Sequence, residues 1–228
     1  HSIHTLHRGL RAFALFLAKE GFVERHPRLP HLRPATSVIE PLSVDHLRVI
    51  MGSIRTDSFV GLRDATIIRL LFDTGIRLGE LTRIELPHVN FEEGFMFIRG
   101  KGNRERWVPV GKEMKKALWI YVKQRELYSS PSEPALFVRR DGNRLSARGI
   151  QQIFKRIKPN LPKSEHIRLS AHILRHSFAL AYIEAGGDPF SLQRILGHST
   201  QAMTAKYVNM ARSNIKAQHD RFSPGDRL

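Results

Sequence analysis

Apolar residues return at helical spacing along most of this chain. Ile3, Leu6, Leu10, Phe13 and Leu17 make one stripe over residues 2–20, which predicts an amphipathic helix stopped at Gly21. Pro27, Pro30, Pro34 and Pro41, with Arg and His between them, read as a semi-extended linker over residues 24–41. Ser43 opens a second helix, Val44 to Ile54. A third covers residues 59–72, with Leu62, Ile67, Leu70 and Leu71 toward the core and Asp73-Thr74-Gly75 breaking it. The period then changes from helical to alternating. Phe95–Arg99 and Arg106–Val110 flank Gly-Lys-Gly-Asn-Arg-Glu, where Gly and Asn supply positive φ, so a hairpin is predicted.

Helical spacing resumes over Lys112–Tyr128, with Met114, Leu118, Ile120 and Val122 apolar. A Ser/Pro loop and a tight turn within 137–145 follow, and Ser146 caps a helix from Ala147 to Ile157. Ser170 caps another that begins at Ala171 and buries Ile173, Leu174, Phe178 and Leu180. On it His172, Arg175 and His176 fall at i, i+3 and i+4, so one face carries three nitrogen donors. Gly186 and Gly187 stop that helix, and Pro189 suits the first turn of the next, which carries Leu192, Ile195 and Leu196 and ends at Gly197. His198 sits at its exit, Thr200 restarts a helix bearing Tyr207, and residues 215–222 predict a short last one. The pattern defines a mixed α+β chain, mostly α-helical, with a small antiparallel β-sheet.

Charge narrows the partners. The 228 residues carry 37 Lys and Arg against 21 Asp and Glu, a formal charge of +16, which points to a polyanion, with nucleic acid ahead of an anionic membrane surface. No run has the length of a membrane-spanning helix. The absence of cysteine fits a reducing cytosol, and a cytoplasmic location is expected. The chain opens on His1 rather than Met, already in helical pattern, so it reads as a piece of a longer protein without a signal peptide. The twelve histidines mostly lack paired ligand spacing, and neither a P-loop nor a carboxylate cluster is present, so no metal and no cofactor are expected. Arg148, Gln151, Gln152 and Lys155 on the helix from Ala147, with Arg104 and Arg106 by the hairpin, are the candidates for DNA contact; a solvated helix face is the alternative for the first four.

A set of fixed cations and imidazoles with one tyrosine suits phosphodiester chemistry. Charge develops on the non-bridging oxygens, arginine forks hold them bidentately, and a phenol can attack phosphorus. Arg77, set between Ile76 and Leu78, is either such a ligand or the structural partner of Glu80. Lys101 is either a solvated turn lysine or a mobile proton donor. His198 reads equally as a helix-terminus histidine, and Tyr207 as a half-buried core residue.

His-Ile-Leu-Arg-His-Ser-Phe-Ala from His172, Leu-Gly-His-Ser from Leu196 and the downstream Tyr207 resemble the C-terminal boxes of the tyrosine recombinases, the phage-integrase family. Thr-Gly-Ile-Arg-Leu-Gly-Glu-Leu from Thr74 resembles the box of the first catalytic arginine, and Gly-Lys-Gly-Asn from Gly100 the hairpin of the catalytic lysine. The resemblance covers about residues 38–228. It implies the tyrosine recombinase catalytic-domain fold over 37–228, after a C-terminal remnant of a helical core-binding domain plus linker over 1–36. It implies a catalytic set of Arg77, Lys101, His172, Arg175, His198 and Tyr207, and it makes His176 a structural neighbour. The implied activity is site-specific cleavage and rejoining of double-stranded DNA at paired sites, through a 3′-phosphotyrosine and a Holliday junction. A homotetramer on DNA is implied, the tail from Ile215 to Phe222 passing between protomers or folding back in cis. A type IB topoisomerase would relax supercoils without paired sites. A relaxase would add a histidine-bound metal, and a helix–turn–helix regulator would form no covalent adduct.

Overall fold

The structure is a computed structural model that describes residues 2–24, 40–100, 102, 104–162, 167–211, 219 and 223–227. The chain divides into two units, residues 1–39 and 40–228. In the first, helix α1 (Ser2–Lys19) ends through Gly21 at positive φ, and Ile3, Leu6, Leu10 and Phe13 of its apolar stripe are exposed.

The second unit is built around helix α3 (Phe59–Thr74), which packs against α5 (Lys112–Arg125) on one side and α7 (Ala171–Glu184) on the other. Helix α2 (Val44–Gly52) precedes it, with Ser43 accepting from the His46 N–H as its cap. After α3 come the single turn α4 (Leu78–Leu81) and a three-stranded antiparallel sheet, β1 (Val89–Asn90), β2 (Phe95–Arg99) and β3 (Glu105–Pro109). Phe95 pairs with Pro109 and Arg99 with Glu105, so the alternation buries Met96, Ile98 and Val108 and leaves the other face outward. Helix α6 (Ala147–Ile157) follows α5, and α8 (Pro189–Leu196) and α9 (Ala202–Met210) close the described fold. The predicted class holds: mostly helical, with one small antiparallel sheet.

Two apolar clusters result. The larger joins α3, the sheet, α5 and α6 through Ile67, Leu71, Met96, Leu118 and Ile150, all fully buried. The smaller gathers Ala179, Ile183, Leu192, Leu196 and Ala211 around Tyr207. Gly75 is where α3 turns toward the second cluster. Its φ of +60° is left-handed, and a Cβ there would lie 2.4 Å from Phe178 and 2.7 Å from Leu196. Gly75→Ala meets both the backbone penalty and overpacking, an expected loss of about 2–4 kcal/mol. A thermal melt should show it as a midpoint lowered by roughly 5–15 °C.

Some local expectations change. Helix α5 ends at Arg125, not Tyr128, because the Arg125 side chain turns inward and donates to the carbonyls of Ala135 (3.0 Å) and Glu133 (2.6 Å). Its buried aromatic is Tyr121, while Ile120 is 40% exposed. On α3, Leu62 is half-buried and the Arg63–Asp64 pair is buried instead; Asp64 also receives Arg156. On α7 only Leu174 of the four expected core residues is fully buried, because Arg175 and His176 occupy the inward face. Helix α2 ends at Gly52 and β3 starts one residue early. The helix expected at 215–222 lies outside the described residues except for His219.

Candidate active site

The site assembles on the C-terminus of α8. A helix leaves its last carbonyls without intrahelical partners, and they carry partial negative charge. Gly197, left-handed at φ +64°, turns the chain away and exposes them. Ile195 O accepts from Arg106 Nε at 2.7 Å, while Leu196 O accepts from Arg175 Nη2 at 3.0 Å and Arg77 Nη1 at 3.4 Å. Three guanidinium groups, from α7, β3 and the start of α4, therefore meet at one helix end.

Glu80 completes the frame. It is 2% exposed on α4 and accepts from the Arg77 backbone N–H (2.8 Å) and from Arg77 Nη1 (3.0 Å). A second arginine approaches the same carboxylate, Arg106 Nη1 at 3.0 Å and Nη2 at 2.9 Å. Burial pushes the Glu80 carboxyl up, but the Arg106 and Arg77 hydrogen bonds and charges outweigh it and hold it below its ordinary range. Three cations against one carboxylate leave two positive charges, a deficit that an anion would fill. Arg77 keeps 44% of its side chain exposed while both ends are held. The two readings of Arg77 are thus compatible, since the salt bridge aims the guanidinium without covering it.

Arg175 is 7% exposed, spanning from Leu196 O to Gly75 O (2.6 Å). Burial and the nearby Arg77 charge lower its pKa to about 10, which still leaves it protonated at neutral pH. Arg77 and Arg175 line a recess with His172 and Gln151, and Arg77 also borders an open cleft of about 920 Å³ with Gly100, Gly102, Arg104 and His198.

Two imidazoles border these openings, His172 the recess and His198 the cleft. His172 and His176 meet Nε2 to Nε2 at 3.0 Å, edge to face. Burial, with Lys206 and Arg175, lowers the His172 pKa. Burial and the neighbouring His172 bring His176 to about 4. His198 Nδ1 contacts Thr204 Oγ1 at 2.8 Å, and burial beside Arg175 and Arg77 brings it to about 4. Tyr207 stands between them: its ring lies 5.3 Å from His176 and 6.2 Å from His198, stacked at 9° on the latter, with Lys206 Nζ 4.8 Å over its face. At 2% exposure it is more enclosed than the half-burial its helix pattern suggests. Burial raises its pKa, against the lowering pull of Arg175 and Arg77.

Five of the six residues expected to act together converge here. The sixth, Lys101, lies outside the described residues, as does Asn103; the hairpin that carries them closes through Gly100 N–H to Arg104 O at 2.8 Å. Arg104 is exposed at the cleft. Arg106 is placed differently from an outward phosphate contact: its side chain is 12% exposed and ties β3 to α8 and Glu80. Arg148, Gln151, Gln152 and Lys155 are all exposed on α6, and Gln151 alone of these borders the recess. Sequence reasoning set His176 on the donor face but gave it no catalytic part, and it missed Thr204 and Lys206. The i, i+4 spacing from His172 and the i, i+3 spacing of Thr204 before Tyr207 were the available signals. Among the described residues no three His, Cys, Asp or Glu are grouped as a metal site, and no helix is long and apolar enough to cross a membrane.

A helical domain with one small sheet, two arginines on a shared carbonyl and a tyrosine enclosed by histidines accord with one class of DNA strand-exchange enzyme. The chain belongs to the phage integrase family, which it matches over residues 41–214. It is similar to tyrosine recombinase XerC of Syntrophus aciditrophicus (strain SB), with 34% identity over 226 residues, 96% of this chain and 72% of that protein. Tyrosine recombinase XerD of Staphylococcus epidermidis (strain ATCC 35984 / DSM 28319 / BCRC 17069 / CCUG 31568 / BM 3577 / RP62A) is 32% identical over 221 residues, 94% of this chain and 74% of that protein. The fold is that of the Tn1549 transposon integrase solved with transposon right end DNA: TM-score 0.76 at 24% identity, covering 97% of this chain and 79% of that one. The chain is accordingly a tyrosine-type site-specific recombinase.

Proposed function

We propose that Tyr207 is the nucleophile of this recombinase and that Arg77 and Arg175 clamp the scissile phosphate of a double-stranded DNA site. The observation that carries this is the shared Leu196 carbonyl, which sets the two guanidinium groups side by side at the tyrosine's cluster. The phenol oxygen forms a bond to phosphorus and the bond to the 5′ oxygen breaks, leaving a 3′-phosphotyrosine. The phenol proton passes to His172, His198 donates to a non-bridging oxygen, and Lys101 protonates the departing 5′ oxygen. The 5′ hydroxyl of a partner strand then attacks the phosphotyrosine and releases Tyr207, giving a Holliday junction after one pair of exchanges. One phosphoester is exchanged for another at each step, so the scheme uses neither ATP nor a metal.

Because Tyr207 is enclosed, attack requires its ring to turn out of the small cluster toward the recess. Arg104 with Arg148, Gln151, Gln152 and Lys155 gives the DNA-facing surface, while Arg106 acts through Glu80. Residues 1–36 are the end of a core-binding domain and 37–228 the catalytic domain. Four protomers act together on paired sites in the cytoplasm. The transposon integrase of the same fold, solved with its end DNA, supports duplex DNA as the partner.

The test is a nicked suicide duplex carrying a site selected by binding from a randomised pool. Loss of the short fragment past the nick traps the covalent state. An SDS-resistant band joined through the 3′ phosphate is expected. A 5′-linked adduct, or relaxation of supercoiled DNA that lacks any paired site, would refute the recombinase mechanism as written.

A further inference from the structure

We propose that His176 is a positioning residue whose Nε2 lone pair accepts the Nε2–H of His172, so that His172 keeps its Nδ1 lone pair for the proton it takes up. This rests on the assignment of His172 as the base. The 3.0 Å separation of the two Nε2 atoms admits one proton between them: two N–H groups would collide and two lone pairs would repel. The rings stand edge to face at 88°, the arrangement in which one ring's N–H can lie in the plane of the other's lone pair.

The two rings are unequal. His176 is 8% exposed, packed inside α7 against the Tyr207 ring, while His172 is exposed at the recess that Arg77, Gln151 and Arg175 line. The charged and titratable groups facing the pair are Arg175 on α7 and Lys206 and Tyr207 on α9. Burial and both cations disfavour an imidazolium on His176, so the ring stays neutral at working pH and keeps one nitrogen as an acceptor; with its proton on Nδ1 that acceptor is Nε2. When His172 takes the phenol proton at Nδ1, its Nε2–H bond to His176 becomes charge-assisted. His176 thus does for a base what an orienting carboxylate does in a hydrolase triad, without adding negative charge beside the phosphate.

The test uses the whole chain with two substitutions. His176→Phe keeps the ring and the packing on Tyr207 but removes the acceptor; His176→Gln keeps an acceptor oxygen at similar reach. His176→Phe should slow single-turnover cleavage roughly 10- to 100-fold with DNA affinity unchanged. It should also move the acidic limb of the pH–rate profile to lower pH, because the imidazolium of His172 loses its acceptor. His176→Gln should restore the rate to within about tenfold of wild type and return the limb. Equal activity of His176→Phe and wild type, or His176→Gln no better than His176→Phe, overturns the inference. Should His176→Phe fail to fold, His176→Leu replaces it, and the limb in His176→Gln must still match wild type. His172→Ala separates the two levels: if it cleaves normally, the base assignment itself is wrong, whereas a dead His172→Ala beside a normal His176→Phe removes only the role of His176.

Discussion

Tyr207→Phe is expected to lower covalent cleavage by roughly 10⁴-fold or more while leaving DNA affinity within a factor of about three. The substitution deletes one oxygen and keeps the ring that Ala179, Ile183, Leu192 and Leu196 surround, so the small cluster survives. The arginines do not depend on the phenol. Arg175 is held by Gly75 O and Leu196 O, and Arg77 by Glu80, so the anion site persists and the variant should still bind duplex. Gel shift and adduct formation on the nicked duplex measure the two halves separately. Residual adduct in the variant would place the nucleophile elsewhere.

Glu80→Ala is expected to be the most damaging change away from the nucleophile. The carboxylate is buried and receives two arginines, and breaking a buried ion pair by removing one partner costs about 3–5 kcal/mol. Arg106 would be left with charge and no counter-charge at 12% exposure, and Arg77 would lose the bond that aims it. Cleavage should fall with stability, and more steeply than DNA binding. The pH dependence follows from the depressed pKa of Glu80 against its ordinary value of 4.5. A carboxyl held low in the folded state stabilises fully above about pH 4.5 and loses that contribution as pH falls through the folded value. The gap between wild type and Glu80→Ala in denaturant melts should therefore be widest near pH 7 and narrow below pH 4.5. A gap that stayed constant to pH 3 would mean that the carboxylate charge contributes nothing.

The cap at Ser170, the break at Gly75 and the β2–β3 hairpin were legible because each rests on local chemistry within a few residues. So was Arg77, whose chain neighbours Ile76 and Leu78 are apolar and fix it to the core. The frame between Arg77 and Arg175 was not legible, because its acceptors are the carbonyls of Ile195 and Leu196, which any residue would supply. The inward turn of Arg106 escaped for the same reason: an arginine on an alternating strand gives no sign that a glutamate 26 residues earlier awaits it. The burial of Arg63, Asp64 and Arg125 was equally illegible, because each finds a partner at long range or on a backbone carbonyl. His176 shows the converse, since its spacing from His172 announced contact before any role could be attached to it.

On the proposed mechanism each subunit cleaves with its own Tyr207, which packs within the chain beside His176 and His198. Mixing Arg77→Ala protein with Tyr207→Phe protein on the nicked duplex tests this most directly. Each protomer in the mixture lacks one half of the machinery, and both variants are to be shown by gel shift to occupy the site together. No covalent adduct is expected at any ratio, against a strong band from wild type. Recovery of the adduct in the mixture would show that one subunit's tyrosine is delivered to another's arginines.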